Sequence, residues 1–212
     1  MGNRALVKLN KSDNVAVYLH WNGGIGSVRA FLKYCELRGF RVDNGGYGVA
    51  RFAQIVGNFF GGGLSIGIQP CMAHTEEEYN EESWGLDNGI YVCENWEIVE
   101  RYPKDTFSLE EPSEYELEEM LIAIDKAQPV KEQLGEYLKG VPCKVEDIRL
   151  GDRVAYINWN GDVEYVTIEE FGDDRICNGT NVKGLPYTGQ YDRSNINSYL
   201  RKDTKGLVKI TA

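Results

Sequence analysis

Histidine is almost missing from this sequence: His20 and His74 are the only two in 212 residues. Zinc needs four converging ligands, most often delivered as paired motifs. Cys71 and His74 make one half-pair, and neither His20 nor Cys93 completes it with a second pair, so no metal site is expected. Cysteine is also sparse. Cys35, Cys71, Cys93, Cys143 and Cys177 are odd in number, scattered and never in a C-x-x-C pair. A secreted disulfide framework shows an even, clustered set, so buried thiols in a reducing compartment are expected. No apolar run approaches the ~18 residues of a membrane span. The opening MGNRALVKLN lacks the long apolar region of a secretion signal, and the expected location is the cytoplasm. Catalytic signatures are missing as well: there is no G-x-x-x-x-G-K-[ST], no G-x-G-x-x-G and no G-x-S-x-G elbow. No cofactor is expected, and the balance leans away from an enzyme.

What is present is charge, unevenly placed. Residues 1–70 hold eight Lys or Arg against three Asp or Glu, net +5. Residues 71–142 hold five against nineteen, net −14, and residues 143–212 hold ten against eleven, net −1. The whole imbalance of the chain therefore lies in its middle third, and such a block speaks of partners rather than of fold.

The hydrophobic pattern predicts an α+β protein. ALVKL (5–9) and NVAVYLHW (14–21) read as a hairpin. A helix opening at Ser27 carries Val28, Phe31, Leu32 and Cys35 on one stripe and ends at Gly39. A second helix buries Val49, Phe52, Ala53, Val56 and Phe60, and strands at 64–68, 88–94 and 95–102 follow. The expected first domain, residues 1–102, is a mainly antiparallel sheet with two packed helices. Residues 103–142 are predicted to be an acidic helical connector. There Ser113 and Glu116 form a capping-box pattern, and Leu117, Met120, Leu121 and Ile124 share one face. Residues 143–212 alternate like β-structure, and I-R-L-G-D-R-V resembles the opening of a small SH3-like barrel. A short helix at 192–201 and a closing strand at 206–210 complete the reading.

The stretch YLHWNGGIGS (18–27) tests whether glycine here serves a ligand or a corner. VAVYLHWNGG is echoed by RVAYINWNGD (153–162), where a strand follows at once and Asn160-Gly161 reads as a hairpin turn. The first copy can use Asn22-Gly23 in the same way. A helix N-terminus behind glycines nonetheless attracts anions, so His20, Trp21, Asn22, Gly24, Gly26, Ser27, Arg29 and Arg51 form an alternative ligand site, for a nucleotide-binding module or a hydrolase or nuclease. A third reading is direct nucleic-acid binding by the basic first domain. Arg29, Lys33, Arg38, Arg41 and Arg51 would make the patch, and Tyr47 or Trp21 the stacking surfaces.

The leading reading uses the acidic block. Carboxylates at phosphate-like separations compete for the cationic grooves in which other proteins hold nucleic acid. Glu76, Glu77, Glu78, Glu81 and Glu82 on a flexible loop, with Tyr79 and Trp84 as anchors, would join Glu110, Glu111, Glu114, Glu118 and Glu119 on and before the helix.

M-G-N-R-A (1–5), Y-L-H-W-N-G-G (18–24), Y-G-V-A-R-F-A-Q-I-V-G-N-F-F-G-G (47–62) and D-N-G-I-Y-V (87–92) resemble a family of uncharacterised proteins found in phages and Firmicute mobile elements. The resemblance covers about residues 1–100 and implies a mobile-element context without an activity. Small acidic proteins of such elements are often inhibitors of host defence. By that analogy the expected partner is a host nucleic-acid-handling protein, with a CRISPR effector the most specific choice.

Overall fold

The computed structural model describes residues 2–42, 46–63, 65–158, 162–171, 177–181 and 206–210. It is a mixed α+β structure that divides into two compact units, Met1–Gln133 and Leu134–Ala212. The first contains a five-stranded sheet in the order β3-β2-β1-β4-β5, made of β1 (Ala5–Lys8), β2 (Val15–Leu19), β3 (Ile66–Pro70), β4 (Ile90–Glu94) and β5 (Glu97–Tyr102). All its pairings are antiparallel except that of the central strand β1 with β4, which is parallel.

Alternation along the strands gives the sheet two apolar faces. Ala5, Val7, Val17, Leu19, Tyr91 and Cys93 are fully buried on the face that meets α1 (Ile25–Leu37) and α2 (Tyr47–Phe59). The predicted stripe of α1, Val28, Phe31, Leu32 and Cys35, is buried throughout. Gly39, at φ 65°, closes the helix: its N–H donates to Glu36 and the N–H of Phe40 donates to Cys35. That pattern is the glycine-terminated cap the sequence calls for. On the second face, Leu6, Ala16, Ile90, Val92 and Tyr102 pack with Cys71, Ala73 and Tyr79.

The acidic segment differs from expectation in three ways. Residues 76–82 are a short helix, α3 (Glu76–Glu82), and not a flexible loop. Thr75 caps its third N–H while Glu78 reaches back to the Thr75 N–H, a reciprocal pairing that holds even a helix of about two turns. The Ser113/Glu116 capping box does not form. α4 spans Leu117–Ala127 with Glu116 at its N-cap and no side-chain cap, because the Ser113 hydroxyl is spent on the Tyr115 carbonyl. Finally, α4 packs within the first unit. Tyr34 Oη donates to Asp125 at 2.7 Å, and Gln128 Nε2 donates to the carbonyls of Ile55 and Ile124. Asp125 is therefore a buried partner of α1 rather than part of an outward acidic face.

The second unit is a sheet in the order β6-β10-β7-β8-β9, made of β6 (Val141–Pro142), β7 (Arg153–Ile157), β8 (Val163–Phe171), β9 (Cys177–Asn181) and β10 (Val208–Lys209). Ile148, Val154, Tyr156, Val166, Ile168 and Leu207 form its core. Among the described residues no pairing closes this sheet into a barrel. β7 and β8 pair up to Ile157 and Val163, as the hairpin expectation requires. The Asn160-Gly161 turn and the helix expected at 192–201 lie outside the described residues.

Candidate functional site

The glycine corner does bind an anion, and the anion is the chain's own. The N–H groups of Gly26 and Ser27 donate to the Glu114 carboxylate at 2.9 and 3.1 Å, and the Ser27 hydroxyl adds a third bond at 3.0 Å. A Cβ at Gly24 would stand 2.4 Å from Glu114 Oε1, and one at Gly26 2.1 Å from Ser113 Oγ. The two glycines are thus the clearance that admits residues 113–114 to the first turn of α1, whose unpaired N–H groups favour negative charge. Burial pushes the Glu114 carboxyl up, but hydrogen bonds from its own N–H, from Gly26 and from Ser27 outweigh this and hold it below the usual glutamate value.

Around that contact the other residues of the alternative ligand site have structural duties. Asn22 turns the chain at φ 52° and reaches Ser27 Oγ. The ring of His20 takes part in a 2.9 Å hydrogen bond with Tyr18 Oη and stands edge-on to Trp21. Arg29 donates to the Leu109 carbonyl. Arg51 contacts Gln54 and Tyr47 on its own helix, α2, and the ring of Phe40 before it. Arg38, counted in the basic patch, is buried and donates to the Glu132 carbonyl.

Of the acidic candidates, several are engaged within the chain. Glu111 meets the buried Arg101 at 2.6 Å, Glu76 meets Lys104 at 3.2 Å, Glu78 completes the α3 cap and Glu82 accepts from the Met72 N–H at 3.1 Å. Glu114 is not on a helix at all, since α4 begins three residues later. Tyr79 is not an outward anchor. It is fully buried, stacked on Tyr102 at 4.5 Å, with the Lys8 ammonium 5.1 Å from its ring. Lys8 is itself buried and donates to the carbonyls of Cys71 and Ala73, and burial pushes its pKa down. α3 is therefore nailed to the sheet by its tyrosine, and its glutamates are forced outward.

The side chains of Glu77, Glu81, Glu110, Glu118 and Glu119 have no partner among the described residues and remain exposed. Trp84, just past α3, is 91% exposed, and Met72, whose N–H binds Glu82, is 56% exposed. Glu77 and Glu81 with Trp84 and Met72 are the candidate interface, an acidic helix with two large apolar side chains at its C-terminal end; Glu118 and Glu119 stand on α4, on the other face of the sheet.

Tyr79 offers a check of this arrangement. Its hydroxyl is buried without a hydrogen-bond partner, which costs about 1–3 kcal/mol of lost solvation. Tyr79→Phe is expected to leave stability unchanged or raise it by about 1 kcal/mol. Tyr79→Ala is expected to lower it by about 3 kcal/mol. Urea unfolding of the two variants measures both.

One feature escapes sequence reasoning. Leu117, read as part of a core stripe, is 46% exposed and lines a cleft of about 330 Å³ with Arg29, Leu32, Lys33, Trp96 and Ile98. The turn beneath it holds both Asn95 and Trp96 at positive φ, 51° and 67°. Such backbone is rare for a bulky residue; here Trp96 is fixed by burial and by its indole N–H bond to the Phe40 carbonyl. The sequence signal is the pair Asn95-Trp96 standing where a two-residue turn prefers Asn-Gly.

No known protein family, curated protein or solved structure matches the chain.

Proposed function

We propose that the chain is a binding protein, not an enzyme, that inserts the acidic face of α3 and Trp84 into a cationic, nucleic-acid-binding surface of a host protein. An inhibitor of host defence carried by a phage or mobile element would act in this way, and a CRISPR effector is the partner class we favour. The observation that carries the reading is Trp84, 91% exposed at the end of a helix whose own tyrosine faces inward. An aromatic side chain left in water beside unpartnered carboxylates fits the anatomy of a hot spot ringed by charge. Glu118 and Glu119, in the first turn of α4, belong to the helix layer on the other face of the sheet and are left out of this surface. For residues 143–212 we further propose the SH3-like barrel as the finer reading. Its support is the placement of the last strand, β10, beside the first strand of the β7-β8-β9 meander.

The test is competition. The protein should displace DNA from a CRISPR effector in a gel-shift titration, and raising salt from about 50 to 200 mM should weaken that displacement steeply. Combining Trp84→Ala with Glu77→Lys and Glu81→Lys is expected to weaken it at least ~100-fold. Equal competition by this variant would overturn the surface, and no competition by the parent protein would overturn the partner class.

A further inference from the structure

The first sheet ends on β3 and β5, and its two edges are built differently. β5 carries Glu97, Glu100 and Arg101, and its pairing with β4 is interrupted by an irregularity at Val92/Cys93. Charges and bulges are how sheets keep foreign strands from an edge. β3 has neither. Its sequence IGIQP is uncharged, and its register with β2 runs unbroken from Val15–Pro70 to Leu19–Ile66. No charged residue stands from Ser65 to Met72, in a chain of which 26% is charged.

Parity shows what this edge offers. The Cys71 N–H donates to Asn14 and the His20 N–H donates to Ser65, so odd-numbered residues of β3 bond inward to β2. Ile66, Ile68 and Pro70 then turn their backbone groups outward. No described residue pairs with those groups. Pro70 has no N–H, which leaves Ile66 and Ile68 with one donor and one acceptor each. Their side chains share a face, and Ile68 is 57% exposed although Val17 opposite it is fully buried.

We propose that β3 of a second copy occupies this edge, antiparallel about a two-fold axis through Gly67. In that register Ile66 of one copy stands opposite Ile68 of the other. Four hydrogen bonds form, each isoleucine N–H donating to the facing carbonyl, and Pro70 lies beyond the bonded ladder. The occupant is a second copy because the donor and acceptor pattern is complementary to itself. Four isoleucines also meet across the axis, and the strip is the neutral part of a chain of net charge −10, whose copies repel one another elsewhere. Gly67 fits the axis. A Cβ there would meet only Tyr18 Cβ, at 3.9 Å, so this glycine is not demanded by the monomer. Non-hydrogen-bonded partners in such a ladder approach to about 4.5 Å between Cα atoms.

Light scattering and sedimentation over roughly 5 to 500 μM protein should show the mean mass rising from monomer toward dimer. Ile68→Pro removes the outward N–H without touching a bond to β2, and Ile68→Lys places a charge on the edge; both are expected to stay monomeric throughout. In the unmodified protein, amide exchange at Ile66 and Ile68 should slow ~10-fold across the same range while β5 amides are unaffected. That readout stands even if a variant fails to fold. A monomeric mass at every concentration, a dimer that survives both substitutions, or protection appearing on Glu97–Tyr102 instead would overturn the proposal.

Discussion

Arg101→Ala is expected to destabilise the protein by about 3 kcal/mol or more, the largest loss among the substitutions considered. The side chain is 1% exposed and held on every side. Nε donates to the Asn88 carbonyl at 3.1 Å, Nη2 to Asn88 Oδ1 at 3.3 Å, and Nη1 to Glu111 at 2.6 Å. The guanidinium lies 4.8 Å from the centre of the Tyr91 ring and 4.2 Å from that of Phe107. Truncation therefore strands the Asn88 carbonyl and opens a cavity between two aromatic rings. It also releases Glu111, but that carboxylate is 39% exposed and can be hydrated, so its loss is a minor part. Arg101→Met keeps most of the volume and is expected to cost about 2 kcal/mol. A thermal midpoint lowered by roughly 6–12 °C for the alanine variant would agree; a fall of under about 2 °C would show that the rings close over the gap.

Glu114→Ala is expected to cost less, but to change how stability depends on pH. It leaves the Gly26 and Ser27 N–H groups and the Ser27 hydroxyl without their acceptor. Hydrogen bonds to a charged group are worth about 1.5–3 kcal/mol. Partial exposure of Glu114 moves the expectation to the lower end, about 1.5 kcal/mol. Glu114→Gln keeps an acceptor and loses the charge, at about 0.5–1 kcal/mol. The pH dependence has a definite sign. Glu114 and Glu111 both titrate below the ordinary glutamate value of 4.5 in the folded protein, Glu111 chiefly through its bond to Arg101. A carboxyl with a depressed folded pKa stabilises fully above its unfolded value, and the benefit is lost as pH falls through the folded one. Stability is thus expected to drop below pH 4.5, and the double variant Glu111→Gln/Glu114→Gln should drop less steeply there. Urea midpoints measured from pH 6 down to 3 would test it; parallel curves for parent and variant would show that these two carboxylates do not carry the acid sensitivity.

These two residues also mark where the sequence stops being legible. The stripe of α1 could be read because helical periodicity is local, and Gly39 announced its own cap; on α2, Val49, Phe52 and Val56 are buried as expected, but Ile55 takes the place given to Ala53 and Phe60, which are half-buried. The glycine corner was read as geometry, and that was half the account. The carboxylate that explains Gly24 and Gly26 comes from 88 residues further along the chain, beyond any spacing rule. Tyr79 misled for the reverse reason. An aromatic among five acids within residues 76–84 reads as a surface anchor, but the vacancy it fills is made by Leu6, Ile90 and Tyr102 on the strands. Trp84, expected to face outward, is exposed, and nothing in the fold asks for it.

The parallel pairing of β1 with β4 carries a consequence for how the chain is made. Leu6 must wait for Ile90, and Lys8 for Val92, so the middle of the sheet cannot close until the three intervening helices and β3 have left the ribosome. Contacts so distant along the chain slow the search for the native state, and translation at about 5–20 residues per second leaves several seconds in which β1 and β2 stand as a bare hairpin. Truncation before residue 90 should yield an aggregating fragment, not a smaller working domain.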